Sequence, residues 1–144
     1  MSTEITLQLS VTINAPISAV WEAVTNPAQI KKYLFGTDTV SDWKVGSSIK
    51  FTGVWEGKPY EDKGTILQIE KEKILKYNYW SNFSGEPDIP ANYSNITYSL
   101  SSQKDGTLFT LTQDNFKSTE ARVHSEKNWG MVFETMKGML EVGH

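Results

Sequence analysis

The sequence predicts an α+β fold: a curved antiparallel sheet of six or seven strands, wrapped around a long C-terminal helix, with two short helices after strand one. Three observations carry that prediction. Residues 5–13 alternate between apolar and polar, residues 47–116 read as strands joined by turns, and the last segment switches to a helical period.

Ile5, Leu7, Leu9, Val11 and Ile13 are apolar at every second position, the signature of a half-buried strand. Asn14-Ala15-Pro16 ends it, because proline donates nothing to the ladder and presets φ for a first helical turn. Ile17, Val20, Trp21 and Val24 then fall at helical spacing to about Thr25. Asn26-Pro27 breaks that helix, and a second short one is expected from Pro27 to about Tyr33. Ile49, Phe51, Gly53 and Trp55 alternate again, and Gly57-Lys58-Pro59 reads as a turn. Thr65 to Glu70 is a short strand, Lys71-Glu72-Lys73 a charged reversal, and Leu75, Tyr77 and Tyr79 alternate with Lys76 and Asn78. Ser81 to Asn92, with Phe83, Gly85, Pro87, Ile89 and Pro90, is the longest connection in the sheet and is expected to serve as a gate over the cavity mouth or as a plain connector. Ile96, Tyr98 and Leu100 form the next strand, Lys104-Asp105-Gly106 a hairpin turn, and Phe109, Leu111 and Gln113 the last strand.

Trp129, Val132, Phe133, Met136 and Leu140 share one stripe of the final helix, with His124, Lys127, Met131, Glu134, Gly138 and Glu141 opposite. Ser118 or Thr119 is placed to cap its start, Glu120 to complement its dipole and Gly143 to end it. About 23 residues make a helix roughly 35 Å long. Its apolar stripe and the inner faces of the strands have no other partner, so it must lie across the sheet. The chain carries five Trp, six Tyr and six Phe, many of them on inner faces. One helix is not expected to fill the irregular space between such rings, which predicts an apolar cavity.

The candidate walls of that cavity are Phe51, Trp55, Tyr77, Tyr79, Tyr98, Phe109, Gln113, Trp129, Phe133 and Met136, with Arg122 and Ser125 near the start of the long helix. Aromatic walls with a few convergent polar groups are the usual form of a small-molecule site. The bland alternative places tyrosine hydroxyls at the rim and lets Arg122 reach water.

Length and composition limit the rest. At 144 residues the chain is one domain, 1–144, and buries roughly 70% of its unfolded surface. A net charge of −3 disfavours a nucleic-acid partner. There is no cysteine, so no disulfide scaffold and no thiolate nucleophile. No apolar run is long enough to span a membrane, and the opening Met1-Ser2-Thr3-Glu4 does not resemble a secretory signal, so a cytoplasmic protein is expected. His124 on the outer helix face and His144 at the end cannot converge on a metal, so no metal and no cofactor are expected. No inward histidine can serve as a base, and no glycine-rich phosphate loop is present. Acid–base work is left to Asp38, Asp42, Glu56, Glu61 and Asp62; one of them could stand at the cavity mouth with a raised pKa, though solvated loop charges are the simpler reading.

Ile13-Asn14-Ala15-Pro16 followed by Val20-Trp21, Trp43-Lys44-Val45-Gly46 before a strand, Gly64-Thr65-Ile66, Ile96-Thr97-Tyr98, Thr107 to Leu111, and Trp129 with Met136 to Glu141 occur in an order that resembles the SRPBCC superfamily of START-like, birch-pollen-allergen-like helix-grip proteins. Within it the chain is most similar to the activator of heat-shock-protein-90 ATPase homologue family. Lys71-Glu72-Lys73 stands where that family often has proline, and Asn128-Trp129-Gly130 where a Gly-Trp pair is usual.

Three functions follow, in this order. The first is non-catalytic binding of a small hydrophobic or amphipathic ligand. The second, implied by the superfamily, is a polyketide cyclase or hydrolase working in the same cavity. The third, implied by the family, is chaperone contact, placed last because the additional chaperone-binding domain of eukaryotic activators has no counterpart here. Met131 on the outer helix face leaves the choice between monomer and weak dimer open.

Overall fold

The computed structural model describes residues 5–34, 36–81 and 85–141, without the side chain of Trp55. The expectations for Gly143, His144 and Phe83 fall outside these residues, as does the character of the first four. The elements run β1 (Ile5–Ile13), α1 (Ile17–Thr25), α2 (Pro27–Tyr33), β2 (Asp38–Ser41), β3 (Ser48–Trp55), β4 (Lys58–Glu70), β5 (Ile74–Ser81), a 3₁₀ turn (Pro90–Asn92), β6 (Ser94–Gln103), β7 (Gly106–Phe116) and α3 (Thr119–Glu141). The strands form one antiparallel seven-stranded sheet in the order β1-β7-β6-β5-β4-β3-β2, so β1 and β2 are its edges. This is the helix-grip architecture, with α3 held on the concave face.

Local chemistry sets the corners. Glu56 and Gly57 both have positive φ and join Trp55 to its register partner Lys58, a two-residue turn whose twist matches the flanking strands. The turn therefore sits one residue earlier than its Gly-Lys-Pro signal suggested, and Pro59 pairs with Val54 inside β4. Asn26 caps α2 by accepting the Ala28 N–H at 2.9 Å, while Pro27 fills the first helical position. Ser118, rather than Thr119, caps α3, accepting the Ala121 N–H at 3.1 Å.

Val132, Phe133, Met136 and Leu140 are the buried stripe of α3, with Trp129 half-buried beside them. They meet Leu7 and Ile13 of β1, Leu111 and Phe109 of β7, and Ala23 and Val24 of α1 in one core. Each such side chain contributes roughly 1.5–3 kcal/mol by leaving water. Glu141 departs from the outward position assigned to it. Its carboxylate accepts the Asn14 N–H at 2.8 Å and pairs with Lys137 at 2.6 Å, while Lys137 also donates to the Thr12 carbonyl at 3.2 Å. These contacts tie the end of α3 to the junction between β1 and α1. They also hold the Glu141 carboxyl below the usual carboxylate range, through Lys137 first and the Asn14 amide second.

Two glycines fix how closely the middle of the sheet can pack. A Cβ on Gly64 would lie 1.6 Å from the Asn78 carbonyl oxygen, so only glycine lets β4 pass β5 there. The Asn78 side chain fills the gap by accepting the Thr65 N–H at 2.7 Å. A Cβ on Gly53 would lie 2.4 Å from the Tyr60 hydroxyl. The bare backbone at Gly53 lets the Tyr60 ring cross β3 and place its hydroxyl 2.6 Å from Thr37 Oγ1.

Candidate functional site

Along β5, β6 and β7 every second residue faces inward, and the large ones are aromatic. Their rings form one continuous chain across the concave face. Phe51 of β3 meets Tyr77 at 5.9 Å and Tyr79 at 6.2 Å; Tyr77 meets Tyr98 edge-on at 5.8 Å; Tyr98 meets Phe109 at 5.3 Å and Trp129 at 6.1 Å. Phe109 and Phe133 close the chain edge-to-face at 5.3 Å. Such tilted and edge-on contacts suit the ring quadrupole. The structure thus brings Phe51, Tyr77, Tyr79, Tyr98, Phe109, Trp129 and Phe133 together, with buried Met136 one helical turn further along α3.

The expected ligand-sized gap between these rings is not there. The void bounded by Val24, Tyr33, Trp43, Phe51, Tyr77 and Tyr98 holds only about 10 Å³, room for one water at most. The rings close it because their polar tips bond to one another rather than to a central guest. The Tyr77 and Tyr98 hydroxyls lie 2.9 Å apart, and Tyr33 donates to the Ala23 carbonyl at 3.0 Å. Burial raises all three hydroxyls, Tyr98 to about 12, so they are neutral at physiological pH.

Gln113, also inward, accepts from Trp129 Nε1 at 2.9 Å and from Ser125 Oγ at 3.3 Å, anchoring the first half of α3 to β7. Arg122 does not join this group; it pairs with Glu126 one turn along the same helix at 3.0 Å. That is the bland outcome, since its charge is used at the rim. Trp55 ends β3, and its side chain lies outside the described residues.

The polar end of the concave face lies on β2, β3 and β4, away from α3, which rests on β1 and β7. Asp62 faces inward there, and Tyr79 donates to its Oδ2 in a short hydrogen bond. Burial raises the Asp62 carboxyl, opposed by the hydrogen bonds from Ser81 and Tyr79. Burial and then the Asp62 charge push the Tyr79 hydroxyl up as well. Asp62 thus stands at the inner end of this face with its carboxyl raised by burial, and the reading of it as a solvated loop charge does not hold. The missed signal was its phase: Tyr60, Asp62, Gly64 and Ile66 share one face of β4, and Ile66 is fully buried.

Residues 85–92, the described part of the 81–92 connection, do not cover this mouth. They are fixed to the opposite, outward face: Asp88 pairs with Lys63 at 2.5 Å and accepts from Tyr93, Trp80 donates to the Glu86 carbonyl at 3.1 Å, and Lys63 sits over the Trp80 ring at 5.6 Å. Lys63 and Trp80 are register partners one step from inward Asp62 and Ser81, so they must point the other way. An open crevice of about 410 Å³ lies between this segment and the sheet, lined by Lys63, Asn78, Asp88 and Tyr93. Among the described residues no group of three or more His, Asp or Glu side chains could hold a metal, and no helix is long and apolar enough to cross a membrane.

A family model described as "Activator of Hsp90 ATPase homolog 1-like protein" matches residues 14–141. The solution structure of ChR145 from Cytophaga hutchinsonii is 48% identical to this chain, covers 99% of it and 98% of its own length, and superposes with a TM-score of 0.87. The crystal structure of MLL2253 from Mesorhizobium loti is 23% identical over 97% of this chain and 99% of that one, with a TM-score of 0.80. The solution structure of the Aha1 dimer from Colwellia psychrerythraea is 19% identical over 96% and 98%, with a TM-score of 0.78. The latter two likenesses speak for the fold alone. No curated protein matches the sequence.

Proposed function

This chain belongs to the Activator of Hsp90 ATPase homolog 1-like family of the SRPBCC superfamily, and on that footing we propose that it binds a small amphipathic molecule on its concave face without transforming it. The observation that supports this reading is the meeting of an aromatic wall with an inward carboxylate at the end of the sheet that α3 leaves uncovered. Tyr79, half-buried against the buried Phe51 ring, offers ring surface, and Asp62 with Tyr79 offers polar atoms beside it. Because the void beside Phe51, Tyr77 and Tyr98 holds no more than a water, the ligand lies at the mouth of the concavity, with its apolar part against Tyr79. Protein purified without detergent, studied by native mass spectrometry and by saturation-transfer NMR against a panel of medium-chain amphiphiles, tests the reading. Transfer to at least one amphiphile, with shifts confined to β3, β4 and β5, is expected; no transfer to any of them refutes it.

A catalytic reading of the same site, the cyclase or hydrolase alternative, has one observation in its favour: Asp62 is a raised acid hydrogen-bonded to a tyrosine. It requires turnover that disappears in Asp62→Asn. Contact with a chaperone has less support in the surface. Val40 and Val54 are each 69% exposed on the outward face of β2 and β3, but Lys50 and Thr52 stand between them and interrupt the apolar patch that a docking surface needs.

A further inference from the structure

We propose that the first half of α3, residues 119–129, is a flap that hinges at Gly130 and lifts from the sheet while the second half stays docked. The flap belongs to the ligand-free chain and goes beyond the binding function proposed above, so neither stands or falls with the other. Burial, backbone and hydrogen bonding all change at the hinge.

Burial changes first. All four buried residues of α3, Val132, Phe133, Met136 and Leu140, come after Gly130. Before it Arg122, Ser125 and Trp129 are half-buried, and the rest of residues 119–129 are exposed. The far end is also tied down, through Glu141 to the Asn14 amide and Lys137 to the Thr12 carbonyl. The core grips one half of the helix, and the other half only rests against the sheet.

The backbone is weakest at the same place. Gly130 lies inside the helix, and a Cβ there would meet no atom within 4 Å. No close approach demands a glycine, in contrast to Gly64. Glycine in a helix interior is about fivefold less favourable than alanine, so Gly130 loosens α3 where its burial begins. Thr135 adds to this, because its Oγ1 donates back to the Met131 carbonyl at 3.0 Å, a bond that weakens and bends helices slightly.

One side chain latches the flap. Trp129 Nε1 and Ser125 Oγ both donate to Gln113 Oε1, at 2.9 and 3.3 Å. Among the described residues no other hydrogen bond or ion pair joins residues 119–129 to the sheet; Arg122 and Glu126 pair with each other. The Trp129 ring rests on Tyr98 at 6.1 Å, whereas Phe133, past the hinge, rests on Phe109 at 5.3 Å. Lifting the flap therefore uncovers Tyr98 and Gln113, 6% and 7% exposed when it is closed, and leaves Phe109 covered.

Amide hydrogen exchange of the ligand-free chain, read residue by residue by NMR, tests this. An isolated helix shorter than about 12–15 residues is marginal in water, so a lifted flap melts and its amides exchange together. Those amides run from 123 to 134, the last of them bonded to the Gly130 carbonyl. They are expected to share one level of protection, at least about tenfold below that of residues 135–140. Gly130→Ala, whose methyl has room, is expected to slow all of them about fivefold. Gly138→Ala, equally free of neighbours, is the control and is expected to leave them unchanged. Gln113→Leu, which keeps bulk and removes the latch, is expected to speed them about tenfold without altering residues 135–140. The two glycine variants decide the question should Gln113→Leu fold poorly. Protection that climbs smoothly along the helix is ordinary end fraying and overturns the flap. Equal protection of both halves, or an equal response to the two glycine substitutions, overturns it as well. Unchanged rates in Gln113→Leu overturn Gln113 as the latch.

Discussion

Removing one hydroxyl from the Tyr77–Tyr98 pair should cost more than removing both. The two oxygens are 2.9 Å apart in a nearly dry interior, and each is the other's hydrogen-bond partner. Tyr77→Phe leaves the Tyr98 hydroxyl buried and unanswered, at a cost of about 1–3 kcal/mol; Tyr98→Phe does the same to Tyr77. The double variant strands nothing and loses only the net worth of one hydrogen bond, about 0.5–1.5 kcal/mol. The coupling energy, the cost of the double variant less the summed costs of the two singles, is therefore about 3 kcal/mol at the middle of these ranges and favourable. For 144 residues the unfolding entropy is on the order of 0.3 kcal/mol per degree, so each single variant should melt about 3–10 °C below the parent. Urea unfolding of the four proteins, followed by tryptophan fluorescence, gives the cycle directly. Additivity within about 0.5 kcal/mol would refute the reasoning, because it would mean that water in the small void already satisfies either hydroxyl alone.

Other substitutions probe the sheet, the helix end and the mouth. Gly64→Ala drives a methyl into the Asn78 carbonyl and should destabilise by more than about 3 kcal/mol, whereas Gly53→Ala only displaces the tip of Tyr60 and should cost about 1–2 kcal/mol; chemical denaturation ranks the two. Glu141→Ala should release the last turn of α3, seen as faster amide exchange over residues 137–141. In the parent protein that protection should persist at neutral pH and fade only as acid titrates Glu141 below the usual carboxylate range, because its folded-state value is lowered. Asp62 has the opposite sign: its value is raised, so the fold holds its proton more tightly than the unfolded chain does, and stability falls as pH rises through the raised value. Asp62→Asn should therefore raise the melting temperature relative to the parent at pH 7 and lose that advantage near pH 3.

The fold was legible where apolar period and geometry agree. Residues 5–13 and the stripe from Trp129 to Leu140 needed only a period of two and a period of 3.6. β2 was not legible, because its pattern is inverted. Thr39 faces the core while Val40 lies exposed on the outside, so hydrophobicity marks the wrong face, and four residues give too few repeats to correct it. The first half of β4 was hidden for a related reason: Tyr60, Asp62 and Gly64 point inward, but only Ile66 looks like a core residue. Rings of the aromatic inventory do meet on the concave face. Whether they leave a gap was not legible, since that depends on how their edges and hydroxyls meet, which is set by tertiary packing.

The structure divides the concave face into two halves with different physics. Under α3 every inward polar tip has a partner: Tyr77 has Tyr98, and Gln113 has Trp129 and Ser125. On β2 to β4 two buried polar atoms, Thr39 Oγ1 and Asp62 Oδ1, have none. A fold that satisfies its polar groups so fully in one half has no stability reason to leave them bare in the other, because such atoms destabilise it. A ligand that supplies the missing donor is one reason to keep them, and it implies a trade-off measurable on one residue. If Asp62 is kept for a ligand, Asp62→Asn must gain stability at neutral pH and lose the amphiphile in the same protein. A variant that gains stability and still binds the amphiphile would place the binding determinant elsewhere; one that loses stability would mean that the carboxylate is a structural acceptor for Tyr79 and Ser81 and nothing more.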